Sequence, residues 1–112
     1  MILLINTGQN DIIRLGLEKN GKAVIGAEVA AKYAQAELLL PTIDKMLGKA
    51  GVKLREITGI NVASKGEGFT ALRIGVLTAN ALGYALNIPV NGGKPGESIV
   101  HPLYNREPNI KL

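Results

Sequence analysis

The sequence predicts a single α/β domain with a mixed sheet in the order β-β-β-α-β-α-β. Alternating apolar residues around an Asn-Gly pair indicate an antiparallel meander near the N-terminus. Two longer segments with apolar residues three and four apart indicate helices. Short apolar runs after the helices indicate strands that return to the sheet through parallel crossovers. With 112 residues, 46% of them hydrophobic and 20% charged, the chain has the length and composition of one globular domain.

The first three strands are predicted from short-range patterns. "MILLIN" is a short apolar run, typical of a strand that is buried on both faces. Residues 13 to 18 alternate apolar with polar or small side chains, which is the period of a half-buried strand. Asn20 and Gly21 both tolerate positive φ and predict a two-residue hairpin turn. The chain then returns as a third strand around Val24.

"AAKYAQAELLLPTIDKMLGKAG" changes to a helical period. Leu38 and Leu39 widen its apolar surface beyond one stripe, so this helix has a second apolar face to bury. Gly51 predicts the C-terminal end of the helix. The stripe that we expect to face the core consists of Ala36, Leu40, Ile43, Leu47 and Ala50.

"ITGINVA" predicts a fourth strand, a glycine loop follows, and a second helix is predicted from about Thr70 to Leu86, with Thr70 as its N-cap. "IPV" predicts a short fifth strand that ends at Val90. This order of elements is that of ribonuclease H-like and actin-like (ASKHA) domains. We expect residues 1–91 to form the domain and residues 92–112 to form a glycine-rich connector and a C-terminal tail that packs back on it.

Composition narrows the class of protein. The chain has no cysteine, which excludes disulfides and thiolate metal sites and suits a reducing cytoplasm. We expect no signal peptide and no membrane helix, because no apolar run approaches the roughly 20 residues that a span needs. The formal charge of +4 permits contact with an acidic partner or an RNA backbone. Aromatic residues make up only 4%, so few side chains could stack on bases.

"KGEGFTALRIG" contains Gly66, Gly68 and Ala71, which fit the G-x-G-x-x-[G/A] pattern of phosphate-binding loops. A dinucleotide loop follows the first strand of its unit, whereas this loop follows the fourth predicted strand. The next strand is followed by Asn91, where a dinucleotide site would have an acidic residue for the ribose. The match is therefore a weak indication of dinucleotide binding.

Ala71, Gly75, Ala79 and Gly83 lie four residues apart in the second helix and therefore share one face. Glycine inside a helix costs about 1 kcal/mol relative to alanine, so a gain from close packing has to offset the two glycines. Two interpretations are equally open and can both hold in part. The stripe packs on the domain's own sheet or first helix, or it forms a face for another protein.

Other residues give weaker indications of chemistry. Asn6 ends the first strand, where domains of this class carry a carboxylate, and an amide is a much poorer Mg²⁺ ligand. Thr7 and Gly8 could offer a hydroxyl and an N–H to a phosphate, but a plain turn is the favoured interpretation. His101 has no nucleophile paired with it, and Glu67 is a loop carboxylate. We therefore predict no catalytic, cofactor-binding or metal-binding residues. A basic group near the end of the first helix is interpreted as a solvated face: Lys45, Lys49, Lys53 and Arg55.

Three segments resemble one protein family. "FTALRIGVLTANALGYALNIPV" is similar to the F-T-G-L-R-I-G helix and the following I-P-V strand of the bacterial TsaB family, also called YeaZ. "AELLLPTIDKML" resembles that family's H-S-E-x-L-L-P-x-I-D-x-L-L helix, and "ILLINTG" resembles its I-L-x-I-D-T-S first strand. The matches occur in the family's order and cover residues 1 to about 91.

Departures from the family pattern cluster near its nucleotide site. The family's Asp is Asn6 here, and its following Ser is Gly8. Its His-Ser pair is Gln35 and Ala36, and its G-P-G-S loop reads "KGEG". The apolar character of the helices is kept. This pattern fits selection on helix surfaces rather than on a nucleotide pocket.

The resemblance also concerns length. Members of the family usually have two actin-like domains, whereas here the pattern stops after Val90. "HPLYNREPNI" resembles a P-L-Y-L-R-x-P segment near the family's C-terminus. We therefore expect an internal deletion of the second domain, with Ile99 to Tyr104 packing back on the first.

The resemblance implies a non-catalytic accessory role in the threonylcarbamoyl-adenosine (t6A) modification of tRNA. Members of the family bind the catalytic TsaD subunit chiefly through the two helices of the first domain, and several self-associate there. It therefore implies a cytoplasmic scaffold for a TsaD-like subunit that contacts tRNA only through the complex and forms a homodimer when alone. A small actin-like nucleotide-binding protein or ATPase and a self-standing homodimeric interaction module are the alternatives. The candidate interface residues are Tyr33, Leu38, Leu39, Gly75, Ala79 and Gly83.

Overall fold

A computed structural model of the chain describes residues 1–9, 11–32, 34–66, 69–93 and 103–104. The elements are β1 (Ile2–Asn6), β2 (Ile12–Lys19), β3 (Lys22–Ala30), α1 (Gln35–Ala50), β4 (Gly59–Val62), β5 (Lys65–Gly66), α2 (Phe69–Leu86) and β6 (Leu103–Tyr104). One 3₁₀ turn, Leu54–Glu56, lies between α1 and β4.

Strands β1 to β4 form one mixed sheet in the order β3-β2-β1-β4. β1 pairs antiparallel with β2 and parallel with β4, and β2 pairs antiparallel with β3. Asn20 and Gly21 join β2 to β3 with φ values of 53° and 76°. Both residues therefore have the left-handed backbone that a tight hairpin requires, which confirms the predicted turn.

Both helices pack on the same face of this sheet, α1 over β2 and β3, and α2 over β1 and β4. Leu3 and Ile5 of β1 are buried beneath them. Ile2 and Leu4 point to the opposite face and are only half-buried. The prediction that β1 is buried on both faces is therefore wrong, because no helix in the described part of the chain covers the second face.

The inward stripe of α1 consists of Gln35, Leu39, Ile43, Met46 and Leu47. The predicted stripe is correct at Ile43 and Leu47 but wrong at Ala36 and Leu40, which are exposed. The error arises because Leu38, Leu39 and Leu40 are consecutive. Each of them could belong to the inward stripe, although neighbouring residues of a helix point in directions 100° apart. Gly51 ends the helix with φ 67°, as predicted.

The segment around α2 also differs in detail from the prediction. The helix begins at Phe69, so Thr70 is its second residue and not its N-cap. The start of the predicted glycine loop is strand β5, which pairs in parallel with β6. The predicted fifth strand is reduced to one parallel bridge between Ile60 and Val90. Glu67, Gly68 and His101 lie outside the described residues.

Candidate protein-binding surface

The small-residue stripe of α2 faces the domain's own sheet. A Cβ atom added to Gly75 would collide with Oγ1 of Thr7 and would lie 3.2 Å from the Thr7 Cβ. A Cβ added to Gly83 would collide with Cγ2 of Val90. Ala79, between them, has no exposed surface. Of the two interpretations of the stripe, the structure therefore shows packing on the domain's own sheet at Gly75, Ala79 and Gly83.

The remaining candidate interface residues lie on or near α1. Leu39 is buried in the core, whereas Leu38 is half-buried against it. Tyr33 lies outside the described residues. Leu38 is thus the one described candidate that keeps substantial solvent exposure. If the two helices bind a partner, other residues of the same helices have to make most of the contacts.

The outward face of α2 supplies such residues. This helix has 18 residues and a single charged side chain, Arg73. Leu77 is 62% exposed and Tyr84 is 78% exposed. They lie seven residues apart and therefore share a face, with the exposed Ala81 between them. A helix that is apolar all round is normally covered on all sides, and the near-absence of charge was the signal available in the sequence.

A groove of about 580 Å³ lies along α1 and is also lined by residues 52–54 and by Leu82 of α2. It is lined mainly by leucine and isoleucine side chains, and Leu40 of α1, 54% exposed, lines it from the surface. The outer helix surface, defined here as Leu40, Leu77, Ala81 and Tyr84, is therefore apolar on both helices. Ile43 and Leu47 of α1 and Leu82 of α2 also line the groove.

The polar groups expected at a phosphate site are engaged within the domain. The hydroxyl of Thr7 is buried and donates to the carbonyl oxygen of Ala71 at 2.7 Å. The N–H of Gly8 donates to Oδ1 of Asn6 at 2.9 Å. A Cβ added to Gly66 would lie 2.6 Å from the carbonyl oxygen of Gly8, so the first turn and β5 touch backbone to backbone. This arrangement leaves little room for a phosphate between them.

Asn91 has a structural role that the sequence did not reveal. Its side-chain Oδ1 accepts from the N–H of Val62 at 2.8 Å, and its Nδ2 donates to the carbonyl oxygen of Val62 at 3.0 Å. Its own N–H donates to the carbonyl oxygen of Ile60 at 2.8 Å. The amide thus completes the edge of β4 where the fifth strand is too short to do so, and a carboxylate could not donate the second of these bonds.

The described residues were also compared with the requirements of a metal site and of a membrane-spanning helix. Within the described ranges, no group of three or more His, Asp or Glu side chains could hold a metal ion. The helices in the same ranges are too short or too polar to cross a membrane.

Comparison with known proteins gives a consistent result. The sequence model of a family described as "TsaD: tRNA N6-adenosine threonylcarbamoyltransferase" matches residues 25–99. A tRNA N6-adenosine threonylcarbamoyltransferase of Geotalea uraniireducens is 35% identical over 78 residues, which is 69% of this chain and 22% of that protein. An uncharacterized protein of Mycobacterium tuberculosis is 30% identical over 92 residues, which is 81% of this chain and 44% of that protein.

Among solved structures, YeaZ from Pseudomonas aeruginosa is similar with a TM-score of 0.73 and 27% identity, covering 80% of this chain and 41% of that one. The predicted α/β, actin-like fold class is therefore confirmed. The chain spans less than half the length of each of these three relatives.

Proposed function

We propose that this chain, which belongs to the TsaD family, is a non-catalytic scaffold subunit. In this proposal it binds a TsaD-like partner through the outer helix surface and supports t6A modification of tRNA. The structural similarity to YeaZ favours the accessory role, whereas the 35% identity to a transferase over 78 residues favours the catalytic alternative.

The observation that carries the proposal is the outward face of α2. Leu77 and Tyr84 leave large apolar areas in water on a helix that has only one charge. Burial of a large apolar side chain contributes about 1.5–3 kcal/mol, so covering both residues would contribute substantially to binding. The internal use of Thr7 and Gly8 described above adds support, because it removes two groups that a catalytic nucleotide site would use.

The test is complex formation with the TsaD-like protein of the same organism. We expect the two purified proteins to co-elute in gel filtration and to bind in titration calorimetry. Leu77→Glu and Tyr84→Ala should each weaken binding about tenfold or more, as expected for large apolar anchors at the centre of an interface. Val24→Glu is the matched control, since Val24 is 46% exposed but lies on β3, and it should bind like the wild type.

Circular dichroism on each variant establishes that the fold is kept. The proposal fails if the wild-type chain forms no complex, or if both folded α2 variants bind as tightly as the control. A homodimer that dissociates in Leu77→Glu, with no complex with a TsaD-like protein, would instead support a self-standing interaction module that uses the same surface.

A nucleotide-binding enzyme is the second candidate, because the matching family is described as a transferase. This role needs the loop at Gly66 and the turn at Thr7 to open. Calorimetry with ATP or ADP in the presence of Mg²⁺ tests it, and clear binding in the micromolar range would replace the scaffold proposal.

A further inference from the structure

Strand β3 is an open edge of the sheet. It is the last strand in the order β3-β2-β1-β4, and no strand among the described residues pairs with its outer side. From Ile25 to Ala30 it pairs with β2 in unbroken register, and the one irregularity lies opposite Leu17 and Glu18. In an antiparallel edge strand, alternate residues point their N–H and C=O groups outward. Three of the six regular residues therefore point their backbone groups away from β2, on a side where no other described strand pairs with them.

This edge has few of the features that normally prevent strand addition. Proteins protect exposed edges with proline, with inward-pointing charges or with covering segments. β3 contains no proline, and Glu28 is its one charged residue in the regular stretch. Glu28 is already paired with Arg14, Oε1 to Nε at 3.2 Å, across the sheet face that the helices do not cover.

A groove of about 270 Å³ runs beside the edge, on the face that carries the helices. Its β3 wall is residues 25–29, and its opposite wall is α1, with the buried Met46 and the exposed Lys45 and Lys49. The two lysines are one helical turn apart, which separates them by about 6 Å. That spacing is close to the roughly 6.6–6.8 Å between alternate side chains of a strand.

We propose that β3 and this groove are a docking site for an extended acidic peptide of a partner protein, which adds to the sheet as a fifth strand. Its backbone pairs with the outer edge of β3. Its alternate side chains face α1, where carboxylates at positions i and i+2 reach Lys45 and Lys49. This site is separate from the outer helix surface and does not depend on the proposed function.

A second copy of this chain fits the site less well. Antiparallel pairing of two β3 edges about a twofold axis places both α1 helices on the same face of the joined sheet. Lys45 and Lys49 of one copy would then face the same lysines of the other, and like charges held together oppose association. The side chains of the chain's own residues 105–112 include Arg106, Glu107 and Lys111, so they supply one carboxylate against two cations and do not complement the two lysines of the groove.

The experiment uses the full chain, labelled with ¹⁵N, and a nine-residue probe peptide in which valine alternates with glutamate. We expect binding with alternate protection of the β3 amides between Ile25 and Ala30 in hydrogen exchange. Binding should weaken with added salt. Charge reversal in the double variant Lys45→Glu/Lys49→Glu should weaken it about tenfold or more, because attraction becomes repulsion.

Two peptides and one protein variant serve as controls. A peptide with lysine in place of glutamate, and one with the same residues grouped rather than alternating, should bind poorly. Leu77→Glu, on the outer helix surface, should bind the probe normally. The proposal is overturned if the probe protects α2 rather than β3, or if the lysine double variant binds it unchanged. Protection of the outward-pointing β3 amides in the free chain would also overturn the proposal. It would favour a second copy if the protection rises with protein concentration, and the chain's own segment if it does not.

Discussion

Gly75→Ala tests whether the stripe of α2 is an internal contact. The added methyl group would collide with the Oγ1 atom of Thr7, a residue with no exposed surface whose hydroxyl donates to Ala71. Taken alone, the substitution would raise helix stability by about 1 kcal/mol. Forcing a methyl group into a packed site costs about 1–3 kcal/mol, and losing the buried hydrogen bond costs about 1–3 kcal/mol more.

The unfavourable effects outweigh the helix propensity. We expect the free energy of unfolding to fall by about 1–5 kcal/mol, against a total of roughly 5–15 kcal/mol for a domain of this size. Urea unfolding followed by circular dichroism measures it. Gly48→Ala is the control in α1, because a Cβ there has no neighbouring atom within 4 Å, and it should raise stability by about 0.4–1 kcal/mol.

A second-site change locates the collision. Thr7→Ala removes Oγ1 and should therefore make Gly75→Ala less costly, so that the double variant is more stable than the sum of the single effects by about 1 kcal/mol or more. If Gly75→Ala instead stabilises the domain as Gly48→Ala does, α2 does not lie on Thr7 and the assigned packing is refuted.

Three other substitutions give independent tests in the same unfolding assay. Gly83→Ala should lower stability by up to about 2 kcal/mol, because the collision of its Cβ with Val90 costs about 1–3 kcal/mol and the gain in helix propensity offsets about 1 kcal/mol of that, and a clear stabilisation would contradict this contact. Asn91→Ala should cost about 1–3 kcal/mol through the two lost bonds to Val62. Asn91→Gly should lower stability less than Asn91→Ala, because φ is 52° at this position and glycine adopts positive φ more easily than alanine. Equal losses of stability in the two variants would argue against this backbone contribution. Gly51→Ala, at φ 67°, should cost about 1 kcal/mol, and stabilisation would exclude the left-handed helix end.

The features that the sequence predicted well depend on local backbone chemistry. Asn20, Gly21 and Gly51 have positive φ, a requirement that few residue types satisfy, so their identity is informative without knowledge of the fold. The order of helices and strands was also predictable, because the change of apolar period from two to 3.6 is visible along the chain.

The features that the sequence left open depend on which element covers which face. Spacing alone placed Gly75 and Ala79 on one side of a helix but did not say whether a sheet or a partner lies against that side. The sequence around Asn91 gives no indication of its bonds to Val62, which lies 29 positions away. A contact of this kind is set by tertiary structure, and a single sequence contains no local signal for it.

The two faces of α2 now require different experiments. Its inner face consists of residues so small that the helix backbone approaches the sheet closely. A larger side chain at Gly75 therefore changes the stability of the fold, whatever the chain binds. Its outer face is apolar and exposed at Leu77 and Tyr84, so changes there leave the core intact and report on association. Loss of a complex in a Gly75 variant would therefore say nothing about an interface. A folded Leu77 variant that no longer binds would identify one.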